Sequence, residues 1–235
     1  MKTPEPFWFD PFTNFIALLV GAALSYFITW KFEARRERRE QKANAFSLVF
    51  SIQNICNDLI QLNNILRNIS NTRTQEMASG IPLWQLLPIS FGWDKEIVLQ
   101  PAELALLAGT KNHELVTKVQ EANSAHRIYT RAANRVGELK LELANSGLAA
   151  SASGEVIQFE ATSAQYAGIA HVINQLEALS EKLGSDLAEA THQAVECGRQ
   201  VPKVLKDFYK FDHLVGLVFD EIEDSSDDAI SHANQ

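Results

Sequence analysis

A run of twenty uncharged residues near the N-terminus, positions 11–30, constrains this chain more than any other feature. Twenty residues of α-helix extend ~30 Å, which matches the hydrocarbon core of a bilayer. Six basic residues follow the run closely, whereas only Lys2 precedes it. These six, termed the basic cluster, are Lys31, Arg35, Arg36, Arg38, Arg39 and Lys42. The positive-inside rule therefore predicts a single-pass inner-membrane protein with its N-terminus outside and its remainder in the cytoplasm.

The uncharged run has two other interpretations, a cleaved signal peptide and a buried core helix. A cleaved signal peptide has basic residues before its apolar stretch and a small-residue cleavage site after it. In this chain the basic residues come after the run, and no such site follows Lys31. A buried core helix is disfavoured because the basic cluster adjoins the run directly. We therefore expect an extracytoplasmic segment over 1–10 and a transmembrane helix over 11–32.

The basic cluster also suits anionic lipid headgroups, because each cation near the membrane surface contributes about 1 kcal/mol. Three interleaved glutamates, Glu33, Glu37 and Glu40, weaken that attraction. Membrane topology alone explains the cluster, and we favour that interpretation. Membrane lipid is thus an expected partner of the chain in either case.

The rest of the chain is acidic, with 14 Lys and Arg against 24 Asp and Glu from residue 43 onward. Such a balance argues against nucleic-acid binding, which depends on neutralising phosphates with basic side chains. The two cysteines, Cys56 and Cys197, lie far apart in sequence and suggest neither a disulfide framework nor a cysteine-based metal site.

Three long helices are predicted in a cytoplasmic domain over 33–222, which makes the fold class an all-α bundle behind one membrane helix. The first carries apolar residues at alternating three- and four-residue spacing, a heptad seam. The seam comprises Ala45, Leu48, Ile52, Ile55, Leu59, Leu62, Leu66 and Ile69. The second helix is predicted over 111–144 and the third over 156–197. An up-down antiparallel arrangement follows from their lengths, with the 145–154 turn facing the bilayer.

Two irregular segments, 80–109 and 201–222, are expected together at the end of the bundle far from the membrane. Prolines break the first, although Pro101 and Gly109 delimit a short helix within it. Both are rich in aromatic residues. The aromatic set comprises Trp84, Phe91, Trp93, Phe208, Tyr209 and Phe211. These residues either cap the bundle core or form a partner-binding face, since aromatic residues are enriched at hot spots. We favour the cap. The acidic end, 223–235, is predicted to be disordered.

Motifs for catalysis are missing from the sequence. It contains no glycine-rich phosphate loop, no H-E-x-x-H helix, no C-x-x-C pair and no G-x-S-x-G turn. The histidines lack ligand spacing, and His126, close to the apolar stripe of the second helix, is expected to set register or to be satisfied by a neighbour. We therefore predict a protein without enzymatic activity, cofactor or metal.

Arg127, Arg131 and Arg135, termed the arginine stripe, recur every four residues on one face of the second helix. Like charges at that spacing repel slightly. One interpretation is an anion site, for a nucleotide messenger or an acidic patch of a partner. The other is a solvated outer face, and we favour it, because amphipathic helices present charges opposite their core.

Ala17, Gly21 and Ser25 form a small-residue ridge in the membrane helix, on which two helices can approach closely. The heptad seam below it either continues a parallel oligomer interface or is consumed within one chain. We predict a homo-oligomer.

Two functions remain open. The first is a scaffold or adaptor that holds a cytoplasmic protein partner at the membrane. The second is a membrane effector of a defence or toxin type, whose bundle senses a signal and rearranges the membrane helices to perturb the bilayer. The layout resembles bacterial inner-membrane proteins in architecture alone. We favour the scaffold.

Overall fold

The structure, a computed structural model, describes residues 11–75, 81–92, 96–146, 149–153, 156–159 and 163–211. The chain divides into two compact units, residues 1–45 and 46–235. The predicted outer segment 1–10, the acidic tail 223–235 and Trp93 lie outside the described residues. The predicted aromatic segment 201–222 is described as far as Phe211.

The first unit contains the beginning of helix α1, Pro11–Gln75. Every described side chain from Phe15 to Glu40 is exposed, although many of them are large and apolar. An 18-residue window of the helix has a mean hydropathy of 1.7, and none of it is buried. By length and composition, this one helix near the N-terminus can cross a membrane.

The second unit is a helical bundle, which confirms the predicted fold class. After α1 its elements are α2 (Leu83–Leu86), α3 (Pro101–Gly109), α4 (His113–Asn145), β1 (Ala149–Ser153), β2 (Val156–Phe159), α5 (Ser163–Ser185) and α6 (Leu187–Tyr209). The short helix predicted between Pro101 and Gly109 is α3, and Glu103 closes its first turn by accepting a hydrogen bond from the Gln100 backbone N–H at 2.7 Å.

Helix α4 is the central element of the bundle and packs against α3, α5 and α6. It begins where the Asn112 side chain caps it, accepting a hydrogen bond from the Leu115 backbone N–H at 3.1 Å. The whole predicted apolar stripe is buried, namely Leu115, Val119, Ala122, Tyr129, Ala133, Val136, Leu139 and Leu143. Burial of this stripe against α5 and α6 contributes hydrophobic stabilisation to the bundle.

The heptad seam of α1 is buried within the single chain from Ala45 to Leu62, whereas Leu66 and Ile69 are half-buried. Leu48, Ile52, Ile55, Leu59 and Leu62 are each at most 2 % exposed. Two hydrogen bonds join this stretch to α6, from the Cys56 thiol to the Ala194 carbonyl at 3.2 Å and from the Thr191 hydroxyl to the Leu59 carbonyl at 3.4 Å. The intrachain alternative for the seam is therefore the one observed, and α1 and α6 run antiparallel, because rising residue numbers in one meet falling numbers in the other.

Helix α4 is antiparallel to α5 and α6, since Lys118 shares one surface depression with Glu196 and Tyr129 shares another with Asp186. Helices α1 and α4 are consequently parallel to each other within the second unit. The predicted reversal between the first and second helices is wrong. Helix α4 therefore ends, at Asn145, on the side of the bundle toward which α1 runs, which removes the argument that the turn after α4 faces the bilayer.

The predicted third helix is not continuous. Val156–Phe159 pairs instead with Ala149–Ser153 as a two-stranded antiparallel hairpin, in which Ser153 lies opposite Val156. The helix then begins at Ser163 and is interrupted at Asp186, whose ψ of 10° departs from helical geometry. Pro202 lies inside α6 and does not end it, because the helix continues to Tyr209 and ends at the left-handed Lys210.

The segment between α1 and α3 explains the parallel arrangement. Residues 83–92 and 96–100, termed the strap, run antiparallel along α4: Gln85 contacts Lys140, Ile89 lies against Gly137, and Glu96 contacts Arg131. The strap returns the chain to the end at which α1 enters the bundle, where the Ser47 hydroxyl donates to Glu103 at 2.5 Å. Helix α4 can therefore start again in the same direction as α1.

Candidate functional site

The arginine stripe lies under the strap, whose Glu96 accepts hydrogen bonds from two of its members. Arg127 Nε donates to Glu96 Oε1 at 2.6 Å, and Arg131 donates to the same carboxylate at 3.0 Å. The hydrogen bond from Arg127, followed by that from Arg131, lowers the pKa of Glu96 below its ordinary value. The two guanidiniums thus hold an internal carboxylate where an external anion was hypothesised.

The third member of the stripe is also paired, since Arg135 donates to Glu138 at 2.8 Å on the same helix. All three guanidiniums are partly exposed, at 42 %, 65 % and 48 % of their side-chain surface. The carboxylates of Glu96 and Glu138 offset the like-charge repulsion that the four-residue spacing creates. This arrangement supports the solvated-face interpretation of the stripe, with the added role of fastening the strap.

Replacing Glu96 with glutamine is expected to lower the melting temperature slightly, and to do so only at low ionic strength. The reason is that salt screens an exposed carboxylate–guanidinium contact. Thermal melts of wild type and Glu96→Gln in 20 mM and 500 mM NaCl measure the difference. Glu142→Gln, on α4 but away from the strap, is the matched control. An equal loss at both salt concentrations would contradict the ion-pair role of Glu96.

The upper part of the strap is held by two α4 residues that the sequence did not single out. Lys140 is fully buried, and its ammonium donates to the carbonyls of Gln85, at 3.3 Å, and Leu87. Gly137 lies under Ile89, and a Cβ at this glycine would overlap the Ile89 carbonyl oxygen. Two features of the sequence could have indicated these residues: a glycine in the middle of a predicted helix and a lysine next to an apolar stripe.

The aromatic set is mostly internal. Trp84, Phe91 and Phe211 are at most 5 % exposed. Tyr209 is half-buried, and its hydroxyl donates to the Leu106 carbonyl at 2.8 Å, which joins the end of α6 to α3. The structure therefore favours the capping role for these residues, whereas Phe208 is 50 % exposed.

Large apolar side chains are exposed elsewhere on the bundle. Phe50 on α1 is 64 % exposed, and Phe46, one turn earlier, is 39 % exposed. Both point away from the seam, because Leu48 and Ile52 between and beyond them are buried. We term Phe46 and Phe50 the phenylalanine pair. The sequence did not indicate this pair, because the apolar seam of the same helix is the stronger pattern.

A buried histidine joins α4 to α1. His126 is fully buried, and its Nε2 lies 2.8 Å from Asp58 Oδ2. A carboxylate accepts hydrogen bonds, so Nε2 carries the proton in this contact. The expectation that a neighbour satisfies His126 is met at this nitrogen. Among the described residues, Nδ1 has no hydrogen-bond partner.

The two cysteines are near each other in the fold although distant in sequence. Cys56 donates to the Ala194 carbonyl, one helical turn from Cys197, and both thiols are buried. Burial, with a smaller contribution from Cys197, raises the pKa of Cys56 to about 12, and burial raises the pKa of Cys197 to about 11. Thiols with such pKa values are almost entirely protonated at neutral pH and react slowly.

The first unit carries the small-residue ridge and most of the basic cluster. Ala17, Gly21 and Ser25 are exposed, and a Cβ at Gly21 would meet no atom within 4 Å. In the basic cluster, Arg36 pairs with Glu40 at 2.8 Å. No described residue of the chain thus covers the ridge, as a helix-packing surface between chains requires.

Within the described residues, no group of three or more histidine, cysteine, aspartate or glutamate side chains could hold a metal ion. No protein-family model, curated protein or solved structure matches the chain.

Proposed function

We propose that this protein is a non-enzymatic membrane anchor, a scaffold that holds a cytoplasmic protein partner at the inner membrane. Its N-terminus lies outside, residues 11–32 span the bilayer, and the bundle lies in the cytoplasm. The asymmetry of the basic cluster supports this orientation. The exposed phenylalanine pair is the observation that carries the docking role.

Two aromatic rings one helical turn apart on a bundle surface fit a partner that offers an apolar groove. Exposed aromatic side chains are enriched among residues that dominate binding energy. Side chains at i and i+4 lie on the same face of a helix, so both rings can enter one groove. Phe208, exposed at the α3 end of the bundle, is a second candidate anchor. The pair replaces most of the aromatic set as the proposed partner face.

Self-association is part of the proposal and rests on the small-residue ridge. Ala17, Gly21 and Ser25 allow two membrane helices to approach closely. The proposal does not use the heptad seam, because its residues from Ala45 to Leu62 are buried within one chain. The proposed oligomer is therefore held together in the membrane.

The test is purification of the full chain from native membranes in a mild detergent, followed by mass measurement and identification of the components. Phe46→Ser/Phe50→Ser is expected to lose the co-purifying protein, with a drop of about tenfold or more, since hot-spot residues contribute about 2 kcal/mol or more. Ile128→Ser/Leu141→Ser removes two exposed apolar side chains of α4 and is the matched control.

A stoichiometric partner lost only from the phenylalanine variant supports the scaffold. A self-oligomer that carries no second protein in wild type contradicts it. In that event, membrane depolarisation on expression, dependent on residues 11–30, would favour the effector.

A further inference from the structure

A cavity of about 340 Å³ opens where α1, α2 and the interruption between α5 and α6 meet. Its walls are mainly apolar: Leu66, Leu83, Leu183, Gly184, Leu187 and Ala188. Small-molecule sites range over ~300–1,000 Å³ and combine apolar walls with a few polar groups. The cavity is at the small end of this range, so it suits a small, largely apolar ligand.

Three polar side chains of α1 line the same cavity, Asn63, Arg67 and Ser70. Asn63 is 9 % exposed, and its side-chain amide can both donate and accept hydrogen bonds. Arg67 is exposed and forms no ion pair with any described residue. The cavity therefore has a largely buried amide in its lining and, at its edge, a guanidinium that forms no ion pair with the described residues.

We propose that this cavity binds a small aliphatic carboxylate. The leucine side chains enclose the aliphatic chain, and the carboxylate accepts hydrogen bonds from Arg67 and from the Asn63 amide. Guanidinium groups pair with carboxylates through two parallel hydrogen bonds, which makes Arg67 the principal determinant of the anionic end. A neutral ligand of the same shape satisfies Asn63 but leaves the guanidinium without an anion.

Small residues at the helix interruption keep the cavity open. A Cβ at Gly184 would meet only Leu83 Cδ2, at 3.7 Å, and Ala188 lines the wall one turn later with a single methyl group. A phenylalanine at position 188 would occupy the space that the aliphatic chain needs. Ala188 is exposed, so the larger side chain need not disturb the core.

The experiment uses the full chain in lipid nanodiscs and octanoate as the probe, measured by titration calorimetry. Octanoate partitions equally into every sample, so differences between variants report the cavity. Arg67→Gln and Ala188→Phe are each expected to weaken octanoate binding by about tenfold or more, as the loss of a charged hydrogen bond or of the binding space implies. Arg199→Gln, an exposed arginine of α6, is the matched control and should leave binding unchanged.

Octanol and acetate separate the two parts of the proposed recognition. Binding of octanol as tightly as octanoate overturns the carboxylate role, and binding of acetate as tightly overturns the role of the apolar walls. Unchanged octanoate affinity in both cavity variants overturns the site itself. Thermal melts of each variant verify that the bundle remains folded. Loss of this site would leave the proposed docking function untouched, because the phenylalanine pair does not line the cavity.

Discussion

Alanine at position 137 is expected to destabilise the bundle by about 1–3 kcal/mol, the usual cost of overpacking. Glycine-to-alanine changes inside helices normally stabilise by about 0.5–1 kcal/mol. A decrease in the free energy of unfolding would therefore be the informative result. The new Cβ would overlap the Ile89 carbonyl oxygen. The strap cannot move away freely, because Leu87 and Phe91 on either side of Ile89 are buried.

Urea denaturation of the full chain in mild detergent, followed by circular dichroism at 222 nm, measures the change. Gly168→Ala in α5 is the matched control, since a Cβ there meets nothing within 4 Å. That variant should be as stable as wild type or more stable. Equal stabilisation by both alanines would mean that the strap does not press on α4 at Gly137.

Replacing Lys140 with alanine is expected to cost about 2–5 kcal/mol. The change removes a fully buried side chain and leaves the carbonyls of Gln85 and Leu87 without this donor. Lys140→Met, which retains most of the volume, should cost less, because it preserves packing and removes the need to bury a charge.

The same urea titration measures this series, with Lys118→Ala as the control on α4. Lys118 forms a surface pair with Glu114, so its loss should change stability little. If Lys140→Ala matched that control, the buried ammonium would have no part in holding the strap.

Periodicity was sufficient to predict which faces of the helices are buried. The stripe of α4 and the seam of α1 both obey a helical period, and their central residues are in the core. The limits of α3 were also predictable, because Pro101 and Gly109 act through their own backbone preferences. Local chemistry thus determined the limits of α3, whereas Pro202 lies inside α6 without ending it.

The relative direction of the helices and the path of the strap could not be predicted from periodicity. A helical period says which side is apolar but not whether the next helix runs up or down. That depends on how far the connection travels, and the strap has no periodic pattern to reveal its path. Lys140 was missed for a related reason, since a lysine adjoining an apolar stripe is ordinarily solvated. Here it meets backbone carbonyls from a distant part of the chain.

The contacts of the candidate site likewise could not be predicted, because they join residues that are distant in the sequence. The sequence identified the arginine stripe, but its partner Glu96 lies 31 residues from Arg127, in a segment without helical pattern. The aromatic set was recognisable by composition, and its burial depended on tertiary packing that composition does not specify. The phenylalanine pair lies on a helix whose opposite face carried the stronger signal.

The antiparallel contact between α1 and α6 has a consequence for synthesis. A ribosome adding ~5–20 residues per second completes α1 roughly ten seconds before it completes α6. During that interval Cys56 and Leu59 lack the contacts with α6 that they make in the folded chain. A nascent chain of this protein therefore exposes part of the apolar seam of α1 until α6 emerges, and chains truncated before Leu187 should be prominent substrates for chaperones and proteases.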